Sequence, residues 1–223
     1  MTSRRILRLM GSDTEEVLQN LVTNDVGKLK NGLVYAALLT PQGKFIADFF
    51  VVGQDDRLLI DVAADVAPSL LQRLNMYRLR ADVQIAATDI VVSRGSGDAP
   101  DGALTDPRSD AMGWRHYGDT DISDDTDWTA LRVAHLIPAT GIELTPETYI
   151  LEAGFERLDG VDFRKGCFVG QEIVARMKHK TALRKGLARV AIDGACPAGN
   201  EVTANGKAVG ILHTVSGDQG IAY

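Results

Sequence analysis

The segment FRKGCFVGQEIVARMKHK, at residues 163–180, contains the side chains best suited to chemistry. Within it, Cys167 follows Arg164 and Lys165 and precedes a predicted helix. Cationic neighbours and a helix N-terminus both favour the thiolate form of a cysteine, which is its nucleophilic form. The segment therefore predicts a reactive thiol. The alternative is structural, with Cys167 packed as a small apolar residue beside Phe168.

Two other kinds of cysteine site do not fit the rest of the sequence. The four histidines show no spacing that marks one of them as a base for Cys167, so a protease-like dyad is not expected. The two cysteines form no CxxC pair and have no paired histidines beside them, so we expect no structural zinc and no resident iron-sulfur cluster. A metal or cluster shared with a partner through Cys167 stays open.

Asp48 is the second candidate because it interrupts an apolar run, FIADFFVV at residues 45–52, that predicts a strand. A carboxylate inside a buried strand must accept hydrogen bonds or face a cavity. Asp48 is therefore a predicted binding residue. The alternative is an edge strand in which every second side chain, including Asp48, points to water.

The composition is typical of a globular, soluble protein. The chain has 223 residues, of which 45% are apolar, and no window approaches the roughly 18 consecutive apolar residues of a membrane span. Because there are only two cysteines, we expect a compartment that keeps thiols reduced. The predicted location is the cytoplasm, with no membrane partner.

The net charge of -6 argues against a protein that coats nucleic acid, but the charges are unevenly distributed. Residues 98–127 hold nine aspartates against Arg108 and Arg115, and we interpret this run as an irregular, solvated insertion. Residues 164–185 hold seven lysines and arginines against Glu172 alone. The cysteine segment therefore lies in a positive field.

Strand and helix patterns alternate irregularly, which favours an α+β fold over a doubly wound parallel sheet. Residues 1–10 predict a strand, and Ser12 or Asp13 begins an amphipathic helix. The apolar runs 32–40 and 45–52 predict a hairpin around a turn with Pro and Gly. Further elements are predicted as follows: a strand at 58–61, a helix from Pro68, a strand at 83–92 and a helix at 171–178.

From residue 184 onward the pattern changes to short strands, with Asn205-Gly206 as a hairpin signal. Three or four strands are predicted before Tyr223, which is fewer than a closed barrel needs. We therefore expect a small C-terminal β-domain whose barrel the quoted sequence does not complete.

The octapeptide KGCFVGQE, at residues 165–172, resembles the signature of the YgfZ family of folate-binding proteins, which are related to the T-protein (aminomethyltransferase) of the glycine cleavage system. The signature reads K-G-C-(Tyr/Phe)-x-G-Q-E, and every fixed position is filled here. Three further segments are similar to the family in the same order along the chain: LRLMGSDTEEVLQNLVTNDV, LLTPQGKFIADFFV and MYRLRADVQI. Together the similar segments span most of the chain.

The resemblance implies a ring of three small domains around a central hole that receives tetrahydrofolate. The first two domains would be α+β and the last a β-barrel. On this basis we expect a first domain from residues 1–47 with 93–150, a second, ferredoxin-like domain from 48–92 with 151–183, and a third from 184–223.

The resemblance also implies a function. The family is implicated in keeping certain iron-sulfur enzymes active, including enzymes that thiolate tRNA, and its signature cysteine is important for that role. We therefore expect a tetrahydrofolate-binding accessory factor for iron-sulfur protein assembly or repair, acting through Cys167, with client proteins or assembly factors as partners. The residues expected to bind the folate, or a one-carbon derivative of it, are Asp48, Lys165, Gln171, Glu172 and Arg176.

Two alternative functions stay open. A folate-dependent aminomethyltransferase would use Asp48 to position the folate amine, but the T-protein hairpin carries adjacent acids where this chain has Ala47 and Asp48, so stand-alone catalysis is not favoured. A tRNA-binding protein would hold phosphates with the cations of residues 176–185, and nucleic acid is therefore a secondary expected partner. The same cations lie in the right field for the anionic tail of a folate.

Overall fold

The computed structural model describes residues 3–54, 57–180 and 183–223. The first part of the chain forms β1 Arg4–Met10, α1 Thr14–Leu21, β2 Val34–Leu39, β3 Phe45–Gln54, β4 Arg57–Ala63, α2 Ala67–Tyr77 and β5 Gln84–Thr88. The middle part forms β6 Val91–Gly95, β7 Leu104–Thr105, β8 Trp114–Gly118, α3 Trp128–His135 and α4 Gln171–Lys180. The C-terminal part forms β9 Ala188–Ala191, β10 Glu201–Ala204, β11 Lys207–Ser216 and β12 Gln219–Ala222.

The order of these elements confirms the α+β class. The helix after Asp13, the β2–β3 hairpin and the helix beside Pro68 all form as predicted. The strand predicted at 83–92 is instead divided into β5 and β6, which belong to different sheets. None of the helices in the described ranges is long and apolar enough to cross a membrane.

The centre of the fold is a five-stranded antiparallel sheet with the order β2-β3-β4-β1-β5. One face packs on α1 and α2, and the other packs on the chain between α3 and α4. On β2, Val34 and Ala36 belong to the core with the helices, whereas Tyr35 and Ala37 belong to the core on the opposite face. Burial on both faces explains why β2 is a continuous apolar run.

The same two-residue alternation brings polar side chains together on one face of the sheet. On β3, Phe49 lies in the core with the helices, so Asp48 and Phe50 point to the opposite face. Asp61 on β4 is the cross-strand partner of Phe50, and Arg4 on β1 donates a hydrogen bond to Asp61 over 2.5 Å. A polar patch therefore lies within an otherwise apolar sheet face.

A three-stranded sheet, with the order β6-β8-β7, takes two of its strands, β7 and β8, from the acidic run. The expectation of a solvated, irregular insertion is wrong for its middle, because Asp106, Arg108 and Arg115 are buried. The physical reason is charge pairing, since both arginines form salt bridges with Asp106 and so offset the cost of removing the charges from water. Residues 119–125 are exposed, as expected for an acidic loop.

The C-terminal sheet has four antiparallel strands in the order β10-β11-β12-β9. Asn205 and Gly206 have φ angles of 51° and 73° in the turn between β10 and β11, as the hairpin signal predicts. Helix α3 packs against β11 and β12 and so joins this sheet to the rest of the protein.

The predicted domain boundary at residue 47 lies inside β3, which pairs with β2 on one side and with β4 on the other. Residues assigned to the first and second domains therefore share the five-stranded sheet. The boundary at residue 184 precedes β9 and the C-terminal sheet. The division into domains stays a prediction.

Candidate functional site

A cavity of about 350 Å³ opens over the polar patch of the five-stranded sheet. This volume falls within the roughly 300–1,000 Å³ that is typical of small-molecule sites. Asp48 is the sole carboxylate among the described lining residues, and five arginines line the cavity with it: Arg4, Arg94, Arg108, Arg115 and Arg132. The cavity is therefore a candidate binding site with cationic walls.

Asp48 is buried and accepts hydrogen bonds from two hydroxyl groups. Tyr35 donates to Oδ2 over 3.0 Å, and Thr140 donates to Oδ1. Because an ionised carboxylate offers about four acceptor positions, two hydroxyl donors leave capacity for a ligand. Burial, together with the nearby Asp48 carboxylate, raises the pKa of Tyr35 well above its ordinary value. Tyr35 therefore stays protonated and donates to Asp48 throughout the neutral pH range.

Two buried carboxylates beside the cavity hold three of its arginines. Asp61 accepts from Nε of Arg4 over 2.5 Å and from Nη1 of Arg115 over 2.7 Å. Asp106 accepts from Nε of Arg115 over 3.1 Å and from Nε and Nη2 of Arg108 over 2.9 and 2.8 Å. Arg115 therefore bridges the two carboxylates and joins the five side chains into one network.

The arginines keep both carboxylates ionised. Burial alone would raise the pKa of Asp106, but Arg108 and Arg115 outweigh this effect and lower it to about 2. Burial acts in the same way on Asp61, where Arg4 and Arg115 outweigh it and lower the pKa. The network is therefore charged at neutral pH, and it holds the guanidinium groups in fixed positions.

Arg132 connects the cavity to the C-terminal sheet. It donates to Oε2 of the buried Glu143 over 3.1 Å and to Oγ1 of Thr214 on β11 over 3.2 Å. Thr214 in turn donates to Oε1 of Glu143, and the backbone N–H of Ala139 donates to Oε2 over 2.9 Å. One wall of the cavity is therefore held by a polar network that includes a strand of the C-terminal sheet.

The signature segment lies beside α1 and the β2–β3 turn. Lys165 is buried, and its ammonium group donates to the carbonyl oxygens of Gln19 and Val22, the latter over 2.6 Å. Carbonyls at a helix C-terminus lack partners within the helix, so a cation is a favourable cap for α1. Burial lowers the pKa of Lys165 to about 8, although Asp25 and Asp162 oppose the shift. Lys165 caps α1 and does not line the cavity where it was expected to bind.

Three further signature residues fix the loop before α4. Phe168 is buried in the core on the same sheet face as Tyr35. Gly170 has a φ angle of +83°, and a Cβ atom there would lie 2.7 Å from the carbonyl oxygen of Thr40 in the hairpin turn. Gln171 donates from Nε2 to the carbonyl of residue 166 over 3.1 Å. Packing thus explains Phe168, backbone conformation explains Gly170, and hydrogen bonding explains Gln171.

Cys167 and Gly166 are the signature residues that packing does not explain. Cys167 is exposed, which excludes the alternative of a core cysteine, and a Cβ atom on Gly166 would meet nothing within 4 Å. Glu172 and Arg176 are exposed as well, and they pair with each other over 2.8 Å on α4. The thiol therefore lies on a surface loop that Phe168, Gly170 and Gln171 hold in place and that a macromolecule can reach.

The structure separates the predicted site residues into two groups. Asp48 lines the cavity, while the five residues predicted in the signature segment are absent from the described cavity lining. Sequence reasoning missed the arginines of the cavity. The available signal was the presence of Arg108 and Arg115 alone within an acidic run, which indicates paired rather than solvated charges. Among the described residues, no group of three or more His, Cys, Asp or Glu side chains is arranged to hold a metal ion.

Sequence comparison shows similarity to iron-sulfur cluster assembly factors. The chain is 31% identical over 216 residues to the "Iron-sulfur cluster assembly factor IBA57 homolog, mitochondrial" of Mycosarcoma maydis. It is 27% identical over 270 residues to the IBA57 protein of Mus musculus and 26% identical over 268 residues to that of Homo sapiens. The chain is therefore similar in sequence to IBA57 proteins of fungi and mammals.

The alignments cover a smaller share of the fungal IBA57 protein than of the mouse and human IBA57 proteins. The alignment with the M. maydis protein covers 82% of this chain and 54% of that protein, so the chain spans about half the length of this fungal relative. The alignments with the mouse and human proteins cover 100% of this chain and 75% of each IBA57 protein.

Structural comparison identifies the fold. The glycine cleavage system aminomethyltransferase T of Bartonella henselae superposes with a TM-score of 0.74 at 14% identity, covering 99% of this chain and 75% of that chain. Residues 184–223 match the family model described as "CAF17, C-terminal beta-barrel domain". The protein therefore has a T-protein-like α+β fold with a C-terminal β-barrel domain, as the YgfZ resemblance implied.

The names of the relatives overturn the expected cytoplasmic location. The IBA57 proteins of M. maydis, Neurospora crassa, mouse and human are all described as mitochondrial. The expectation was based on sparse cysteine use, which indicates a compartment that keeps thiols reduced but does not distinguish one such compartment from another. The similarity points to mitochondria rather than the cytoplasm.

Proposed function

We propose that this protein is a YgfZ-type factor that binds tetrahydrofolate and acts in the assembly or repair of iron-sulfur proteins. Three findings support the proposal: the similarity to IBA57 assembly factors, the T-protein-like fold, and the cavity that Asp48 shares with five arginines. The buried Asp48 carboxylate facing a cavity is the observation that carries the folate part of the proposal.

The residues of the cavity fit a reduced folate chemically. A reduced pterin is a flat heterocycle with several N–H donors, and Asp48 is a buried acceptor with spare capacity. Tyr35 and Thr140 orient the carboxylate and leave part of its acceptor capacity free for such donors. The folate tail is anionic, which suits the arginine-lined walls. When bound, tetrahydrofolate would supply a carrier for a one-carbon unit.

Cys167 acts toward a partner protein in this proposal. Its thiol is exposed on the surface loop, next to a glycine whose missing side chain leaves the backbone open to close approach. An iron-sulfur protein or assembly factor presents a surface too large for the cavity but able to reach this loop. The proposed role is therefore contact or transient ligation at the client, without stand-alone catalysis by this chain.

The folate part is tested by titrating the purified protein with tetrahydrofolate in a calorimeter. Asp48→Asn should weaken binding about tenfold to a hundredfold, because the amide offers one acceptor atom and loses the charge that strengthens a hydrogen bond to the pterin. Asp65→Asn is the matched control, since Asp65 is exposed beside α2. An unchanged dissociation constant for Asp48→Asn would remove Asp48 from the site.

The maturation part is tested by restoring the activity of an iron-sulfur enzyme in cells that lack the endogenous factor. Cys167→Ser should abolish restoration while the protein stays folded, because an exposed loop cysteine contributes little packing. Cys196→Ser is the control for general thiol loss. Full restoration by the Cys167→Ser protein would contradict the role of the thiol.

The T-protein-like fold favours one alternative, a folate-dependent aminomethyltransferase. The two functions are distinguished by an assay for methylene-tetrahydrofolate formed from an aminomethylated carrier protein. We expect no turnover above background. Robust turnover that is lost in Asp48→Asn would favour the transferase.

A further inference from the structure

The loop at residues 138–144 forms one wall of the cavity and contacts Asp48. Four of its residues line the cavity: Pro138, Ala139, Thr140 and Ile142. Among them, Thr140 donates a hydrogen bond to Oδ1 of Asp48. The position of this loop therefore decides whether Asp48 keeps one of its two hydroxyl donors, and so how its carboxylate is oriented toward the cavity.

The loop folds back on the side chain of its own residue Glu143, which is buried. The backbone N–H of Leu144 donates to the carbonyl oxygen of Ala139 over 3.1 Å. The backbone N–H of Ala139 donates in turn to Oε2 of Glu143 over 2.9 Å. Because Ala139 immediately precedes Thr140, Glu143 fixes the stretch of backbone from which the Thr140 hydroxyl group reaches Asp48.

Glu143 is also held from the C-terminal sheet. Thr214 on β11 is buried and donates to Oε1, the carboxylate oxygen that does not contact the loop backbone. The register of β11 against β12 shifts between Leu212 and Thr214, which leaves His213 as an extra residue. Such bulges re-aim side chains and are frequent beside functional sites. Thr214 therefore contacts Glu143 from a local departure from the regular sheet.

Arg132 at the end of α3 completes the contact between the loop and the C-terminal sheet. Its guanidinium group donates to Oε2 of Glu143 over 3.1 Å and to Oγ1 of Thr214 over 3.2 Å. The Thr214 hydroxyl group thus accepts from Arg132 and donates to Glu143, which its one donor and two acceptor positions allow. Removing this hydroxyl group would loosen the network from outside the cavity, because Thr214 is not among the described residues that line it.

We infer that Glu143 is a positioning residue for ligand binding at Asp48, and that it couples the C-terminal sheet to the cavity. The contacts lead from Thr214 through Glu143 to Thr140, the hydroxyl donor of the Asp48 carboxylate. The inference rests on the proposed function, since tetrahydrofolate is the ligand whose binding it concerns. Coupling is reciprocal for binding free energies, so a bound ligand also stabilises the contact of β11 with Glu143.

Calorimetric titration of the full chain with tetrahydrofolate tests the coupling. Thr214→Val should weaken binding about threefold to tenfold, which is the scale of one hydrogen bond, whereas Thr214→Ser keeps the hydroxyl group and should bind like the wild type. Thr203→Val is the matched control, since Thr203 is exposed on β10 of the same sheet, and it should change nothing. A purely structural role of Thr214 would lower the fraction of protein that binds, seen as the stoichiometry, and leave the dissociation constant unchanged.

Two further titrations test the path through Glu143. Glu143→Gln should also weaken binding, because an amide nitrogen replaces one of the two acceptor oxygens among donors. The Thr140→Val, Thr214→Val double variant should bind no more weakly than Thr140→Val alone, since the donor that Glu143 positions is already absent. An unchanged dissociation constant for Glu143→Gln overturns the inference. Multiplication of the two single effects would instead assign the effect to Arg132 and overturns it as well.

Hydrogen exchange of the wild type tests the reciprocal effect without any variant. Saturating tetrahydrofolate should slow amide exchange in β11 and β12 more than in α2, which packs on the opposite face of the central sheet. Equal slowing in both regions, or none, in a protein that binds tetrahydrofolate overturns the coupling and leaves the proposed function intact. Failure of the wild type to bind tetrahydrofolate overturns the proposed function and the coupling together.

Discussion

The Tyr35 hydroxyl group donates a hydrogen bond to Oδ2 of Asp48 over 3.0 Å, and both side chains are buried. Tyr35 is on β2 and Asp48 is on β3, so the contact crosses the hairpin that the sequence predicts. The Tyr35 ring also packs against Phe50 and Phe155, with ring centres 5.2 Å apart in each pair. The candidate ligand-binding carboxylate is thus oriented by a residue of the hydrophobic core.

Tyr35→Phe should destabilise the protein by about 1–3 kcal/mol, because it keeps the packed ring but leaves a buried carboxylate with one donor fewer. Urea unfolding measures the change. The control is Tyr77→Phe, which should be nearly neutral because Tyr77 is only half-buried at the C-terminal end of α2. An equal effect of the two substitutions would contradict a contribution of the Tyr35–Asp48 hydrogen bond to the stability of the fold.

The two glycines of the signature segment should differ in their tolerance of alanine. Gly170→Ala should destabilise the protein by more than about 1 kcal/mol, because the φ angle of +83° is strained for alanine and its Cβ would meet the Thr40 carbonyl. Gly166→Ala should change stability by less than about 0.5 kcal/mol, since nothing lies within 4 Å. Thermal unfolding of both variants provides the comparison. A Gly166→Ala protein as unstable as Gly170→Ala would contradict the description of the loop.

Acid should destabilise the protein through the arginine–aspartate network. The folded pKa of Asp106, about 2, is lower than its unfolded value, so the carboxylate stabilises the fold above pH 4 and loses this effect as the pH falls toward 2. The contribution is about 2 kcal/mol, and Asp61 adds to it in the same direction. Urea unfolding at several pH values measures the slope of the free energy of unfolding against pH. Asp106→Asn should flatten the slope between pH 4 and 2, whereas the exposed Asp101→Asn should leave it unchanged.

Cys167 should react with iodoacetamide faster than Cys196. Cys167 is exposed among cationic residues, while Cys196 is half-buried and its Sγ accepts a hydrogen bond from Nδ2 of Asn200 over 3.3 Å. Mass spectrometry of the native protein after brief labelling measures both rates, and labelling in urea provides the reference in which both thiols are accessible. Equal native rates would argue against an activated thiol at the surface loop.

Local patterns predicted the elements of the fold well. The β2–β3 hairpin was predictable because its apolar runs flank a turn with Pro and Gly, and α1 because apolar residues repeat at helical spacing after Asp13. The single strand expected at 83–92 was wrong because the apolar pattern does not show that β5 and β6 pair with different sheets. Pairing partners are nonlocal, so periodicity alone cannot assign them.

The candidate site was predictable only in part. Asp48 was identified because a lone carboxylate in an apolar strand needs donors or a cavity. Cavity arginines were missed because their role depends on partners far away in sequence, as the roles of Arg4 and Arg115 depend on Asp61. The acidic run was misinterpreted because its two arginines, Arg108 and Arg115, pair with Asp106 and allow its burial.

The sequence by itself determined the α+β class, the positions of most helices and strands, the family resemblance and two candidate residues, Asp48 and Cys167. These depend on spacing and residue type over short stretches, which the chain displays directly. Tertiary structure alone decided that five arginines line the cavity with Asp48, that Lys165 caps α1, and that Cys167 is exposed and absent from the described cavity lining. The reason is that burial and charge pairing depend on residues far apart in sequence, whose approach is set by the pairing of strands and the packing of layers.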